Sequence, residues 1–281
     1  MANRILDLVV LNHRLDPHET ELRVHVKTER FTPATEVRGR LTGPRCLYSS
    51  TIEIAYPLRE VSRDGHIEMR AVIPEASWWE PETPFLYVGP LELWQDGALC
   101  ERIEIRHGIR SLQLTARGLV LNGKPLTLRG EIHSPTWIKS HARQLRSRGA
   151  NACFTCLAGP SLEPWISADR LGFFVLGAAG DHATFLACRT ELTNHPSHFG
   201  WVFNRAGLAE TPPQQEGVAM FYGVNTSAGN RPANADFIVC NENELAWLDD
   251  PQMPKIVIVK CLPNPLPDRA DVIGWIGSST D

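Results

Sequence analysis

Turn chemistry is the strongest constraint on how this chain folds. Asn122-Gly123 lies between apolar residues, and an Asn-Gly pair in that setting is the clearest short-range signal for a β-hairpin. A second turn, Asp96-Gly97, separates a strand-like run at Phe85–Trp94 from an alternating run at Cys100–Arg106. An all-β unit therefore ends at the Asn-Gly hairpin, and a different kind of structure follows it.

The residues before these hairpins also read as short strands. Glu21–Lys27 and His66–Ile73 alternate apolar and polar residues, and Leu22, Val24 and Val26 share one face of the first. Three further runs have strand composition: Ile5–Val10, Val37–Leu41 and Ser50–Tyr56. About seven strands separated by polar, Gly and Pro turns predict an immunoglobulin-like sandwich over residues 1–110, with a connecting hairpin at 111–125.

After Arg129 the hydrophobic period changes, and helical patterns alternate with fully apolar runs. Helices are predicted at Trp137–Arg148, from Ser161 as a cap to Gly172, and at Ala183–Leu192. Eight apolar runs are predicted to be parallel strands; they begin near Leu126, Ala152, Phe173, Phe199, Ala219, Asp236, Lys255 and Val272. Eight parallel strands with intervening helices are typical of a (β/α)8 barrel.

This predicted barrel, residues 126–281, is short. About 155 residues compare with roughly 200 to 250 in an ordinary (β/α)8 barrel. Pro, Asn and Gly are frequent between Asn225 and Ala235 and between Cys261 and Asp271, so we expect loops or single turns there. Thin helical cover leaves apolar strand faces that a second copy of the chain or another protein would bury.

Several short sequence motifs, taken together, resemble those of the family-2 glycoside hydrolases, the β-galactosidase and β-glucuronidase type. They are Trp79–Tyr87 (WEPETPFLY), Gly108-Ile-Arg110, Leu121–Pro125 (LNGKP) and Leu128-Arg-Gly130. The resemblance implies a sandwich followed by a barrel, so the expected fold class is a multi-domain chain with an all-β sandwich and a reduced α/β barrel. That family usually has a sugar-binding domain before the sandwich, and we expect it to be absent because Met1 already lies in the sandwich.

The resemblance also locates two catalytic glutamates, and this chain has neither. The acid/base residue of the family follows a motif that here reads Asn194-His-Pro-Ser197 and Trp201, which puts Ala206 at its position, next to Arg205. The nucleophile follows the seventh barrel strand, where Lys260 and Cys261 stand. Alanine cannot transfer a proton, and a thioglycoside on Cys261 would lack a proton donor for its release.

Further positions that the family uses at the barrel mouth are also altered. Only the threonine of an Arg-Thr-x-His pattern remains in Phe154–Leu157, and Gly177-Ala178 replaces an acidic pair. Polar residues that still follow predicted strands are candidates for ligand binding, because barrels bind ligands at the carboxyl ends of their strands. These candidates are Glu131, His133, Asp181, Asn204, Asn225, Asn241 and Lys260. Glu131 and His133 are two residues apart and are predicted to point to the same side, as an acid/base pair requires.

Composition excludes several classes of function. A net charge of -4 leaves no basic surface for nucleic acid, and no apolar run is long enough to span a bilayer. The N-terminus does not resemble a secretory signal, and seven cysteines without framework spacing favour a reducing compartment, so we expect a cytoplasmic protein. In the C-x-x-C of Cys153 and Cys156 the two thiols should point to opposite strand faces, which favours two core thiols over a zinc or redox site. We expect no cofactor and no metal.

The function predicted from the sequence is therefore that of a catalytically degenerate relative of these hydrolases, which binds carbohydrate or a protein partner without cleaving β-glycosides. The alternative is an active O-glycosyl hydrolase that uses other acids, such as Glu131, Asp181 or Glu242. In a third interpretation the chain is a subunit that stabilises a larger hydrolase.

Overall fold

The computed structural model describes residues 2–115, 118–134, 137–179, 182–203, 220–225, 235–245, 248 and 252–278. These residues form two compact units. The first contains the described residues up to Arg110 together with Thr190–Pro196, and the second contains the other described residues. None of the described helices has the length and apolar character that crossing a bilayer requires.

The first unit is a seven-stranded antiparallel sheet in the order β1-β2-β5-β4-β3-β6-β7. The strands are β1 (Ile5–Leu15), β2 (Glu19–Thr28), β3 (Thr35–Arg45), β4 (Ile54–Arg63), β5 (Ile67–Pro74), β6 (Leu86–Gln95) and β7 (Ala98–His107). β4 joins two layers, since its first half pairs with β3 and its second half with β5. The predicted sandwich is confirmed.

The apolar alternation that predicted the sandwich forms its core. Leu22, Val24 and Val26 of β2 are fully buried, as are Ile67 and Ile73 of β5. Fully burying one such side chain contributes roughly 1.5–3 kcal/mol, so the inward rows of these two strands account for much of the stability of the sandwich. The outward positions between them carry polar and charged side chains, apart from Val72 of β5.

A three-stranded meander, β8 (Leu112–Thr115), β9 (Gly118–Leu121) and β10 (Lys124–Leu126), follows in the second unit. Leu121 and Lys124 pair across the two-residue turn, and both Asn122 and Gly123 have positive φ angles of 50° and 78°. This is the backbone that a type I′ hairpin requires. The predicted Asn-Gly hairpin is therefore confirmed.

The remaining elements of the second unit form a closed eight-stranded parallel barrel, β11 to β18 in sequence order. Its strands are β11 (Leu128–Ile132), β12 (Ala152–Leu157), β13 (Phe174–Ala179), β14 (His198–Phe203), β15 (Phe221–Asn225), β16 (Phe237–Asn241), β17 (Lys255–Val259) and β18 (Val272–Gly277). All eight predicted strands are confirmed. Nearly every described strand residue is buried, as expected for parallel strands covered on both faces.

Three helices lie in the first half of the barrel: α1 (Trp137–Ser147), α2 (Glu163–Leu171) and α3 (His182–Leu192). Ser161 lies one residue before the N-cap of α2, Leu162, and its Oγ accepts only a long bond of 3.4 Å from the Glu163 N–H. Lys260–Asp271, which joins β17 to β18, contains no helix, as predicted. The other expected loop, between Asn225 and Ala235, lies largely outside the described residues.

Candidate functional site

Helix α2 identifies the outer face of the barrel. A Cβ placed on Gly177 of β13 would lie 2.9 Å from the Trp165 ring on α2 and 2.7 Å from Trp201. Trp165 and Trp201 stack with their ring planes 10° apart. Helices surround the strands of such a barrel, so Gly177 and Trp201 belong to its outer face. Because successive strand residues point to opposite faces, the remaining strand residues can then be assigned to the inner or the outer face.

The strand register places Glu131 on the outer face of the barrel. Thr155 pairs with Gly177, and Glu131 pairs with Cys153, two residues before Thr155 on the same strand. Glu131 is therefore on the side that carries the helices. The inward residues of β11 are Leu128, Gly130 and Ile132.

Glu131 and His133 are close together, as predicted. His133 Nε2 lies 3.1 Å from one carboxylate oxygen of Glu131, and Arg148 Nη1 donates to the other at 3.3 Å. Burial lowers the pKa of His133, and the attraction of the Glu131 carboxylate opposes that shift. The Glu131 carboxylate thus has a partner on each oxygen. Through Arg148, these contacts attach the segment that follows α1 to strand β11.

The inner face has a different composition at the carboxyl ends of the strands. Cys156, Asn225 and Asn241 end the inward rows of β12, β15 and β16, and all three are exposed. Asn241 also caps the following 3₁₀ turn, Glu242–Glu244, through its bonds with Glu244. Two amide side chains and a thiol therefore lie at the opening of the barrel.

Among the described strand residues, no inward position carries Asp or Glu. The inward rows are otherwise apolar or glycine, and they include Phe154, Leu176, Val202, Phe237, Ile256 and Ile276. Lower in the barrel a Cβ on Gly223 would lie 2.3 Å from the Phe237 ring, so aromatic rings fill the interior there. The described barrel interior offers packing and neutral polar groups.

Other candidates divide between described and undescribed residues. Four residues lie outside the described part of the chain: Asp181, Asn204, Arg205 and Ala206, the last of which was predicted to stand at the acid/base position. Lys260 and Cys261 follow β17 directly, and both are exposed. The residue predicted to stand at the nucleophile position of the family is thus a solvent-exposed thiol.

The two thiols of the C-x-x-C point to opposite faces, as predicted, but only one is a core thiol. Cys153 is buried on the outer face, where burial raises its pKa to about 12. Cys156 is exposed on the inner face, so its interpretation as a core residue is wrong. The chain alternates in and out here, and the strand ends at the mouth, where the last inward residue contacts solvent.

Three large aromatic residues near strand ends lie outside the mouth of the barrel. Phe203 and Tyr222 share the outer face with Trp201 and pack edge-on against Phe185 of α3, with ring centroids 5.0 and 5.9 Å away. Register also places Trp275 on the outer face, beside Val257. These rings cover the barrel from outside and leave its opening to smaller residues.

Residues of the Asn194–Ser197 motif have structural roles. Within the first unit, Asn194 Oδ1 accepts the Val10 N–H at 2.7 Å, and its amide donates to the Leu8 carbonyl at 2.8 Å. Within the second unit, Ser197 donates its N–H and its hydroxyl to the buried Asp169 of α2 at 3.0 and 2.6 Å. The fold alone therefore accounts for this motif, with no need for catalysis.

Comparison with known proteins agrees with this architecture. No protein-family model matches the chain. A β-glucuronidase from Streptococcus agalactiae serotype V is 24% identical over 233 residues, 74% of this chain and 38% of that protein. A glycosyl hydrolase family 2 member from Bacteroides cellulosilyticus has a TM-score of 0.71 at 18% identity, covering 98% of this chain and 44% of that one.

A third similar protein is a β-glucuronidase from Ruminococcus gnavus in complex with D-glucaro-d-lactam. It has a TM-score of 0.70 at 16% identity, covering 98% of this chain and 61% of that one. The chain therefore has the sandwich-and-barrel fold of family-2 glycoside hydrolases, and it spans between 38% and 61% of the length of these three proteins.

Proposed function

We propose that this chain uses a glycoside-hydrolase fold for binding and does not hydrolyse β-glycosides. The observation that supports this most is the absence of any inward Asp or Glu among the described strand residues of the barrel. Retaining hydrolysis needs two carboxyl groups about 5–5.5 Å apart, one as nucleophile and one as acid/base. The thiol at Cys261 supplies neither a carboxylate nor the proton that the leaving oxygen needs.

The retained motifs do not count against this proposal. Trp79 is fully buried, and its backbone N–H donates to the Ile109 carbonyl. Asn194 donates to the Leu8 carbonyl, and Ser197 donates to Asp169. A chain that lost catalysis would still need these contacts in order to fold.

The direct test is turnover of nitrophenyl β-galactoside, β-glucuronide and β-mannoside by the purified chain. We expect the rate to equal that of buffer, and a Cys261→Ala variant to behave identically. Turnover by the unaltered chain that disappears in Cys261→Ala would overturn the proposal and identify a thiol nucleophile.

The proposed ligand is a carbohydrate held at the barrel opening. Exposed amides of Asn225 and Asn241 can each donate to and accept from sugar hydroxyls, and Lys260 follows the neighbouring strand β17. Saturation-transfer NMR with galactose, glucuronic acid and mannose tests this. Asn225→Ala should weaken the signal, whereas Gln113→Ala, an exposed amide on β8, should leave it unchanged.

The alternative proposal is hydrolysis by acids outside the family positions. Glu242 favours it most, because it is exposed directly after Asn241 at the carboxyl end of β16. Glu131 is held by His133 and Arg148 on the outer face, and Asp181 lies outside the described residues. Turnover that survives Cys261→Ala and is abolished by Glu242→Gln would establish this alternative.

We also propose that the chain associates with a second copy or with a larger hydrolase. The reason is that Lys260–Asp271, the described connection between β17 and β18, contains no helix that could cover the strands beside it. Light scattering coupled to gel filtration distinguishes the self-associated form from the monomer, and co-purification from the native source tests the larger partner.

A further inference from the structure

A second cluster of chemically competent side chains lies on the sandwich. His25 of β2 is directly opposite Glu68 of β5 in the strand register, and His66 precedes Glu68 by two residues. Val24 and Val26, on either side of His25, are fully buried in the core. Alternation therefore turns all three side chains to the outer face of the sheet.

The three groups are close enough to share one ion. Each can offer a ligand atom, and these atoms lie within 4.8 Å of one another. The imidazole centroids of His25 and His66 are 5.2 Å apart, and His25 Nε2 lies 3.9 Å from Glu68 Oε1. All three residues are half-buried, so they are partly fixed by their surroundings and still accessible to an ion.

We propose that His25, His66 and Glu68 bind a divalent transition-metal ion, with Zn²⁺ as the ion that fits best. Two imidazoles and one carboxylate are a common zinc donor set, with water completing a tetrahedron. Ligand bonds of about 2.0–2.2 Å place tetrahedral ligand atoms about 3.3 Å apart. Modest side-chain rotation brings the present separations to that value.

The neighbouring charges determine which carboxylate oxygen is available. Arg23 donates to Glu68 Oε1 at 2.7 Å and to Glu21 Oε1 at 2.6 Å. Glu68 Oε2 has no protein hydrogen bond among the described residues and is the oxygen assigned to the metal. Because Arg23 also donates to Glu21, its guanidinium still has a carboxylate partner when a metal ion binds Glu68.

The remaining charged groups that face the cluster favour moderate affinity. His13 and Arg70 both approach Glu21, at 3.9 and 3.0 Å, so that carboxylate already has three neighbours, two of which are arginines. Burial lowers the pKa of His25, and the Glu68 carboxylate opposes the shift. Neutral imidazole is the form that ligates a metal, so protons compete with the metal ion for both imidazoles.

The test uses the full chain, freed of metal with a chelator and titrated with Zn²⁺ by calorimetry at pH 7.5. We expect one saturable site. His66→Ala and Glu68→Gln should each weaken it roughly ten-fold or more, the scale of losses when groups that organise a metal site are removed. His18→Ala removes an exposed imidazole elsewhere on the sandwich and should leave the affinity unchanged.

A second measurement keeps the proposal testable if a variant folds poorly. In histidine-selective NMR of the unaltered chain, Zn²⁺ should shift the ring signals of His25 and His66 and leave those of His18 in place. Zn²⁺ affinity that is equal in His66→Ala and the unaltered chain, or the absence of any saturable binding, would overturn the proposal.

Discussion

A buried ion pair at the base of the barrel allows the sharpest prediction about stability. The Lys255 side chain is 0% exposed at the start of β17, and its ammonium donates to the Asp271 carboxylate and to the Met253 carbonyl, both at 3.0 Å. Asp271, 13% exposed, also accepts two bonds from the exposed Arg269. Replacing Asp271 with Ala would remove the carboxylate that neutralises this fully buried ammonium, while the Met253 carbonyl would remain as an acceptor.

The expected cost follows from the burial of the pair. Removing one partner of a buried ion pair lowers the free energy of unfolding by about 3–5 kcal/mol, because the other charge stays buried without an opposite charge. The Met253 carbonyl remains and Asp271 is slightly exposed, so the lower end applies, about 3 kcal/mol. With a urea m-value of about 2–3 kcal/mol per M, the midpoint should fall by about 1–1.5 M.

Urea unfolding followed by tryptophan fluorescence measures this, with hydrogen exchange of β17 and β18 peptides to localise the change. Asp268→Ala, a nearby exposed carboxylate, is the matched control and should shift the midpoint little. The double variant Lys255→Met/Asp271→Ala should recover most of the loss, because it removes the buried ammonium together with its carboxylate partner. A double variant as unstable as the single one would refute the reasoning.

The same pair predicts a pH dependence. Burial favours neutral Asp271, but hydrogen bonds and charges from Arg269 and Lys255 outweigh it and lower the pKa below its ordinary value of 3.8. A lowered pKa in the folded state stabilises the fold above the unfolded-state pKa, and that stabilisation is lost as pH falls through the folded-state pKa. The difference between the unaltered chain and Asp271→Ala should therefore be full at pH 7 and shrink below about pH 4.

Two further substitutions test the packing of the barrel. Gly223→Ala would place a methyl group 2.3 Å from the Phe237 ring and should lower the free energy of unfolding by about 1–3 kcal/mol through overpacking. Gly159→Ala, where nothing lies within 4 Å, should have little effect in the same urea titration. Asp169→Ala removes the acceptor of two buried Ser197 bonds and should cost about 1–3 kcal/mol; an unchanged midpoint would contradict the structural role given to this motif.

The sequence predicted the elements of the fold well because their signals are local. Alternation in β2, the Asn122-Gly123 turn and the apolar run Ile256–Val259 in β17 each depend on a few neighbouring residues. A chain buried on both faces gives no alternation, however. For that reason the sequence could not show that Phe203 and Tyr222 point outward, or that Glu131 lies on the face away from the barrel interior.

The candidate site was only partly predictable for the same reason. Identifying the residues that follow each strand located Asn225, Asn241 and Cys261 at exposed strand ends. Whether a residue at a strand end faces inward depends on the register of the neighbouring strand, which is fixed by hydrogen bonds between segments far apart in the chain. His25 and Glu68 likewise lie far apart in the sequence and meet only through strand pairing, so the sequence alone could not bring them together.

The sequence by itself thus determined the order and type of the elements, since turn residues and hydrophobic period act over a few residues. Through the resemblance it also predicted that a thiol, Cys261, and a methyl group, Ala206, stand at the positions of the family's reactive carboxylates. Only the tertiary structure decided which side chains face the barrel interior and which faces of the sandwich bring donors together. The directions of these side chains depend on closure of the barrel and on the pairing of strands that are distant in the sequence, and short stretches of sequence do not encode either.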